Sequence, residues 1–342
     1  MESASDKKER VSFQKKVWLA TAIVSFAVIF ILIIKSIFNV LLLLLAGALI
    51  AIYFRGLAGL IERKLRVPNK FSLPISVILS LLLIIGFFWL AGNRIQHQIS
   101  ELNKTLPAAI EKFRGQLEQS KIGQQMVQKA TSGDSISKAS NVIQSFFRST
   151  FGVLGDIYVV LFLGIFFTAS PKIYTSGLVA LIPPKGKDAA AGLIEKLGDS
   201  LKKWLKGQLF AMFVVFVFTA IGLLIIGVPM WLVLALSAGL LNFIPNFGPL
   251  IAMIPAVLIG FIEGPTTALA VGLLYIVVQV VESNVVTPQI QQKLLQIPPA
   301  LIIIAQLFMG VLTGGWGLVL ATPLMVILMV VVQELYIKKQ TG

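Results

Sequence analysis

A single carboxylate stands near the end of a long apolar stretch, where an acid is unusual. Glu282 follows the uncharged run 268–281, and Ser283 and Asn284 come directly after it. Gln279 lies three residues earlier, on a neighbouring helical face. An acid inside a membrane is costly and is a functional candidate by default. With Gln279 and Asn284 it could bind a cation or a proton, or hydrogen-bond a polar solute. The alternative is an ordinary interfacial acid at a helix end.

Two breaks rich in glycine and proline form a second set of candidate sites. The first is 244–249, Ile-Pro-Asn-Phe-Gly-Pro, and the second is 313–317, Thr-Gly-Gly-Trp-Gly. Backbone amides and carbonyls exposed at such breaks can bind ions or anionic groups. The alternative is that glycine and proline simply allow a tight turn. The candidate residues at the two breaks are Asn242, Asn246, Gly248, Thr313, Gly314 and Gly315.

Other kinds of chemistry have little support in the sequence. With no cysteine and one histidine, the chain has no thiol nucleophile and no cysteine or paired-histidine metal site. Phosphate-loop and dinucleotide motifs are also missing from it. We expect His97 to be a surface residue and Asp156 to face water or a partner. The sequence therefore predicts no enzyme, no catalytic residue, no cofactor and no metal.

The composition is that of a membrane protein. Hydrophobic residues make up 57% of the 342 residues and charged residues only 13%, too few to cover the surface of a soluble protein. The net charge is +14, but no Lys or Arg occurs between Lys206 and Lys293, and the others cluster at the ends of apolar runs. Such clusters meet lipid headgroups and fix orientation. The excess charge therefore indicates membrane topology and no nucleic-acid partner.

Apolar runs long enough to cross a bilayer as helices predict about six full spans. The first two runs are separated only by a short turn at Lys35. The first run is long for a secretory signal and is followed at once by another apolar run, so we expect a retained span. The six runs are 17–34, 37–54, 71–92, 151–169, 207–227 and 266–286.

The distribution of basic residues predicts the orientation of the chain. Five Lys and Arg residues precede the first span, and five more separate the second span from the third. By the positive-inside rule both segments are cytoplasmic, 93–150 lies outside and 170–206 lies inside. Lys338 and Lys339 return the carboxyl terminus to the cytoplasm.

Two extramembrane helical segments are predicted as well. In 93–150, apolar residues recur at spacings of three and four until 131–135 breaks the pattern, which predicts an amphipathic hairpin. Packing within this hairpin or contact between subunits of a homo-oligomer would bury its apolar stripe, and both alternatives stay open. Inside the cell, 193–205 has an apolar face and a lysine face, which predicts a helix in the membrane interface with Asp188 as its cap.

The carboxyl-terminal half contains two similar helical hairpins that are too short to cross comfortably. Their arms are 231–243 with 250–262, and 299–312 with 318–332. A break inside a membrane must be buried in protein or line a cavity, so a re-entrant hairpin fits each pair.

The spacing of proline and glycine relates the two hairpins to each other. Pro229 precedes Gly248 by 19 residues, and Pro298 precedes Gly317 by 19. With one span between them, the hairpins enter from opposite faces, which predicts an inverted repeat. The predicted units are 1–92, 93–150, 151–206, 207–262, 263–337 and the tail 338–342.

A series of short motifs resembles one family of bacterial membrane proteins, the autoinducer-2 exporter family. The resemblance covers nearly the whole chain. It implies a multi-pass protein of the bacterial inner membrane, a homo-oligomer such as a pentamer, and either export of autoinducer-2 or sodium or lithium/proton antiport. It also adds Gln208 to the candidate site. The motifs are Lys206-Gly-Gln208, Gly227-Val-Pro229, Ile244-Pro-Asn-Phe-Gly-Pro249 with Ile254-Pro255, Glu282-Ser-Asn284 before Pro288, and Gly317 with Pro323.

The sequence as a whole predicts an all-α secondary transporter. In this hypothesis the two hairpins and Glu282 form a site near the membrane midplane, and the first four spans with the outer hairpin form a scaffold. The family resemblance favours a small polar solute such as autoinducer-2 as the cargo, with ion or proton coupling. The alternatives are a sodium or lithium/proton antiporter and, from another class, a structural or partner-binding membrane protein.

Overall fold

The chain folds into apolar helices that pack side by side. A computed structural model describes residues 4–68, 70–83, 85–86, 115, 154–286, 288 and 298–337. Helices dominate these ranges, which contain no strand, and the predicted all-α class is confirmed. The outer hairpin predicted at 93–150, including His97, lies outside the described residues apart from Gly115. The helices are α1 (Ala4–Leu65), α2 (Lys70–Leu83), α3 (Leu154–Ala169), α4 (Pro171–Ala180), α5 (Lys187–Ile226), α6 (Trp231–Leu241), α7 (Phe247–Glu263), α8 (Pro265–Val281), α9 (Pro299–Thr313) and α10 (Gly315–Val332).

Four helical segments of the described part are long and apolar enough to cross a membrane. A fifth is added if α3 and α4, which meet at an angle of 87°, count as one broken span. Membrane spans are therefore confirmed, whereas the predicted total of six is not. The four segments are Ser36–Leu65, Pro184–Ile226, Pro265–Val286 and Gly315–Tyr336.

The first helix corrects one prediction. We expected two spans with a turn at Lys35, but α1 is a single 62-residue helix that continues through this position. The physical reason is local, because no glycine or proline lies near Lys35 to end a helix. Ala4 and Leu65 are therefore at opposite ends of one helix. The cytoplasmic position predicted for the amino terminus and for the segment after α1 stays a prediction.

The segment predicted to lie in the membrane interface, 193–205, belongs to a longer helix. The helix α5 runs without interruption over 40 residues, so this segment continues directly into the predicted span 207–227, and its position in the interface stays a prediction. The helix begins after Gly186 without a side-chain cap, and Asp188 lies in its first turn, where a negative charge favours the helix dipole.

Close helix contacts fix α1 against α3. A Cβ added at Gly164 would lie 2.5 Å from Ile50 Cγ2, and one added at Gly47 would lie 2.7 Å from Leu163 Cβ. Small residues at such crossings let backbones approach, which is how membrane helices gain packing energy. Arg55 adds a polar link, because its Nε and Nη2 donate to the Thr168 carbonyl at 3.2 and 2.9 Å. This arginine satisfies a carbonyl in the last turn of α3, just before the bend into α4.

We expect Arg55→Gln to loosen the end of α3. Glutamine is too short to donate two hydrogen bonds to the Thr168 carbonyl, so the unfolding free energy should fall by about 1 kcal/mol. Thermal unfolding of the purified protein measures the change, with Lys64→Gln as an exposed control that also removes one positive charge. Equal unfolding curves for the two variants would show that the Arg55 contact does not stabilise the fold.

The buried side chains form two apolar cores that α5 joins. The first core lies among the carboxyl-terminal half of α5 and helices α6, α7 and α8. The second lies among α1, α3, the amino-terminal half of α5, α9 and α10. The second hairpin thus shares its core with α1 and α3, which the predicted division into scaffold and repeat did not include. The two cores meet at the tip of the first hairpin.

The two predicted hairpins form as pairs of helices, α6 with α7 and α9 with α10. Helices α6, α7 and α9 are short, whereas α10 with its π-helical end reaches the length of a full span. The two turns share a close contact between their arms. A Cβ atom added at Gly248 would meet the Leu241 oxygen, and a Cβ atom added at Gly317 would meet the Met309 oxygen. Each glycine thus lets the second arm pack on the backbone of the first. Re-entrance and inverted repetition stay predictions.

Candidate functional site

The tip of the first hairpin is a compact turn made by its own sequence. Helix α6 ends at Leu241 and α7 begins at Phe247. Asn246, the residue before α7, has φ of 66°, a conformation that asparagine tolerates better than most residues. The Gly248 N–H donates to the Ile244 carbonyl at 2.9 Å, and a Cβ on Gly248 would lie only 1.8 Å from the Leu241 oxygen. Glycine is therefore required at this position.

Gln208 holds the tip from α5. Its Nε2 donates to the Asn242 backbone carbonyl at 2.7 Å, and the two residues are 6% and 1% exposed. The structure thus brings together two of the predicted site residues from different elements. The side-chain Nδ2 of Asn242 is buried and has no hydrogen-bond partner among the described protein atoms. A buried amide donor without a partner costs about 1–3 kcal/mol, so this group is a candidate for contacting a ligand.

Gln306 on α9 holds the same tip from the other side and was missed by sequence reasoning. It is completely buried, and its Nε2 donates to the Pro245 carbonyl at 2.8 Å. Its Oε1 has no described partner. The available signal was a lone amide in the otherwise apolar arm 299–312. Beside the tip, a donor on Asn242 and an acceptor on Gln306 are thus both buried without a described hydrogen-bond partner.

Phe243 inserts the tip into the second core. Its ring packs edge to face against Trp204 with centroids 5.8 Å apart, and it joins the side chains of α1 and α10. Beside it lies an apolar cavity of about 350 Å³ between α1, α3, α5 and α10. Phe243 from the first tip and Trp316 from the second hairpin both line this cavity. The turn regions of both hairpins therefore border the same open cavity.

The second tip is arranged differently from the first. The Thr313 hydroxyl donates to the Met309 carbonyl on its own helix at 3.0 Å, and Gly314 has φ of 69°. A Cβ on Gly315 would meet no atom within 4 Å. In this conformation Thr313, Gly314 and Gly315 serve the turn. The Trp316 indole donates to Asp156 Oδ2 at 2.7 Å, which gives Asp156 a partner within the chain and ties α10 to α3.

Glu282 lies in a polar cluster at the end of α8, where the helix widens into a π turn. Gln279 Nε2 donates to Glu282 Oε2 at 3.2 Å and to Ser283 Oγ at 3.0 Å. The predicted pair therefore forms, with the carboxylate partly buried. The exposed Asn284 donates instead to the Val280 carbonyl one turn back. Its amide is directed to its own helix.

The candidate residues thus divide between three places. Gln208, Asn242 and Gly248 build the first tip together with Gln306, whereas Asn246 is an exposed turn residue there. Glu282 and Gln279 form their own cluster on a segment that packs against α5, the helix that carries Gln208. Thr313, Gly314 and Gly315 build the second tip. The first tip is the place where buried polar groups from three elements converge.

Comparisons with known proteins give a family match over most of the chain and several relatives. A sequence profile described as AI-2E family transporter matches residues 21–337. "Putative transport protein YueF" of Bacillus subtilis (strain 168) is 26% identical over 297 residues, 82% of this chain and 80% of that protein. "Putative transport protein YrrI" of the same strain is 32% identical over 150 residues, 44% of this chain and only 42% of YrrI. "Putative permease PerM" of Escherichia coli (strain K12) is 23% identical over 206 residues, 59% of this chain and 57% of that protein.

Proposed function

The chain belongs to the AI-2E family of transporters, and from this premise we propose that it exports a small polar solute such as autoinducer-2, with ion or proton coupling. The match to the family confirms the resemblance found in the sequence. The match makes the chain a member of a family of membrane transport proteins. Its helices are long and apolar enough to cross a membrane, as such a protein requires. The cargo, the coupling and a site in the bacterial inner membrane are our proposals.

The polar cluster at the first hairpin tip is the observation that carries the proposal. Asn242 and Gln306 keep a donor and an acceptor buried and unpaired in apolar surroundings. Two such groups lower stability, so their presence favours a functional role. A polyol-like solute without net charge can satisfy both, since each of its hydroxyl groups donates and accepts.

Alternating access would move the first core against the second. The first core holds α6, α7 and α8, and the second holds α1, α3, α9 and α10. Among the described residues, the tip is hydrogen-bonded to α9 through Gln306 and Pro245, and to α5, which joins the two cores, through Gln208 and Asn242. A neutral hydrogen bond of this kind contributes only about 1 kcal/mol, so the link to α9 is weak. In this mechanism the tip withdraws from α9, opens the cavity beside Phe243 and releases the solute. The predicted scaffold is revised accordingly, with α9 and α10 on the side of α1 and α3.

Glu282 is the proposed coupling residue. A partly buried carboxylate held by Gln279 and Ser283 can bind a proton or a monovalent cation in exchange for the solute. The same carboxylate favours the alternative function, antiport of sodium or lithium against protons. In that case the cation itself is the cargo, and the neutral polar groups of the tip are not required for its transport.

Proton movement in liposomes separates these functions. With a pH-sensitive dye inside and an imposed sodium or lithium gradient, the antiporter should give cation-dependent proton flux that Glu282→Gln reduces at least tenfold. An exporter should give no such flux alone but should release autoinducer-2 from loaded vesicles, and Glu282→Gln should remove the dependence of release on a pH gradient. Glu263→Gln is the matched control, because it removes an exposed carboxylate at the end of α7.

The outcomes are distinct. Cation-dependent flux lost in Glu282→Gln but kept in Glu263→Gln would replace export with antiport. Autoinducer-2 release that Glu282→Gln leaves unchanged would remove this residue from the mechanism. Absence of both activities in correctly inserted protein would favour the structural or partner-binding class.

The packing also bears on orientation and assembly. Lys196 pairs with Glu334, which brings the end of α10 beside the first half of α5. We assign this side to the cytoplasm from its basic residues, with the carboxyl terminus there as well.

We further propose a homo-oligomer, whose subunit number the family resemblance gives as five. Mass measurement of the purified protein in detergent tests it, and a monomer at every concentration would contradict it.

A further inference from the structure

A second cavity, separate from the hairpin tip, lies between the last turns of α1 and the first half of α5. Its volume is about 230 Å³. Four basic side chains line it: Arg55 and Arg63 from α1, and Lys202 and Lys206 from α5. Two turns separate the arginines and one turn separates the lysines, so each pair lies along one helical face. Two helices thus contribute four basic residues to the lining of a single cavity.

The charges in this basic cavity are poorly compensated by the protein. Among the described residues, its lining contains no Asp or Glu. All four cationic residues are exposed, and the hydrogen bonds described for Arg55 reach a carbonyl and no carboxylate. Four like charges around one small space repel one another. An anion bound there would relieve the repulsion and accept charge-assisted hydrogen bonds.

The basic cavity is adjacent to the apolar cavity beside Phe243. Tyr53, Leu205 and Leu209 line both spaces. The lining of the apolar cavity is provided by side chains such as Ala46, Leu49 and Val160, and none of its described residues carries a charge. The two spaces therefore adjoin each other as a groove with a basic end and an apolar end. We call it the amphipathic cleft.

We propose that the amphipathic cleft binds an anionic phospholipid. The phosphate headgroup lies among Arg63, Lys202 and Lys206, and an acyl chain follows the apolar cavity along Leu209. The position fits a lipid, because the cationic end lies at the end of the candidate span Ser36–Leu65, where headgroups are expected. A free phosphate satisfies only the cationic end, which is why we assign the cleft to an amphiphile. This inference does not depend on the cargo or the coupling ion.

Native mass spectrometry of the full-length protein in a neutral detergent tests the assignment. Phosphatidylglycerol is the probe, with phosphatidylcholine and glycerol phosphate as comparisons. We expect phosphatidylglycerol to bind at least tenfold more tightly than either, since one comparison lacks the net charge and the other lacks the chains. The double variant Arg63→Gln with Lys202→Gln should bind phosphatidylglycerol about tenfold to thirtyfold more weakly, as expected for two cations near a lipid surface.

The chain provides a closely matched control. Lys64 and Lys203 are the immediate neighbours of Arg63 and Lys202, are exposed, and do not line the basic cavity. The pair Lys64→Gln with Lys203→Gln removes the same charge from the same two helices and should keep the affinity of the wild type. If the first pair unfolds, the single changes Lys202→Gln and Lys203→Gln make the same comparison.

Three results would overturn the proposal. Equal weakening in both variant pairs would show that overall surface charge attracts the lipid. Equal binding of phosphatidylcholine would show an apolar groove without headgroup recognition. Loss of oligomers in Arg63→Gln with Lys202→Gln, without any lipid bound to the wild type, would assign the cleft to a contact with a second copy of the chain.

Discussion

Replacing Gly248 with alanine should destabilise the protein by about 3 kcal/mol or more and abolish transport. The added Cβ would lie 1.8 Å from the Leu241 oxygen and 2.4 Å from its carbonyl carbon. These are backbone atoms, which cannot relieve the overlap by changing a side-chain rotamer. Relief of the overlap requires α6 and α7 to move apart at the tip. That movement would shift Asn242 and Pro245, the residues that Gln208 and Gln306 hold. Thermal unfolding and transport in liposomes measure the two effects.

Gly198→Ala is the matched control for this change. Gly198 lies inside α5, and a Cβ there meets no atom within 4 Å. Because alanine favours a helix over glycine, this variant should gain about 0.5–1 kcal/mol. The same substitution is therefore expected to have opposite signs at two positions. Similar stability changes at both positions would show that the turn at Gly248 is not as tight as the structure has it.

Replacing Gln306 with leucine should reduce transport at least tenfold while leaving stability within about 1 kcal/mol of the wild type. The expected loss of transport without a large loss of stability follows from the hydrogen bonds at the tip. The Pro245 carbonyl also accepts from the Phe247 N–H at 2.8 Å, so it keeps a partner when the amide is removed. The unpaired Oε1 disappears, and leucine suits the apolar surroundings. The solute, in contrast, loses its proposed acceptor. Release of autoinducer-2 from loaded liposomes and thermal unfolding check the pair of expectations.

Gln333→Leu serves as the control for Gln306→Leu. Gln333 is exposed and lies beyond α10, so transport should stay at the level of the wild type. Unchanged transport in Gln306→Leu would make its amide a packing residue of α9 and remove it from the solute site. A large loss of stability would point to the same structural role.

The features that the sequence predicts well are those that depend on neighbouring residues. Apolar runs predict helices, and glycine and proline predict the two hairpin turns, because both effects act over one or two helical turns. The tight contact at Gly248 is an example. Its position in the glycine- and proline-rich break 244–249 predicted a turn residue, and the structure places it against the Leu241 backbone. The prediction of a turn at Lys35 was wrong because two apolar runs joined without a glycine or proline do not show where a helix ends.

The features that the sequence missed depend on contacts between distant residues. Gln306 is 61 residues from Pro245, and nothing near either residue indicates that they meet. The same holds for Asp156 and Trp316, which are 160 residues apart. Conversely, Asn284 and Thr313 have polar side chains of the kind found in binding sites. In this structure those side chains donate hydrogen bonds to carbonyls of their own helices. Amide and hydroxyl groups in apolar runs identify candidates, whereas only packing shows which of them converge.

The length of α5 has a mechanical consequence. It extends over 40 residues, about 60 Å at 1.5 Å per residue, and the tip contact at Gln208 lies near its middle. If α5 tilts as a rigid body about this contact, a tilt of about 10° would displace each end of the helix by roughly 5 Å in opposite directions. Forces on the lysine-rich arm, from bilayer thickness or surface charge, would reach the other arm without any local rearrangement between them. The physical state of the membrane would thereby set the ease with which the tip disengages.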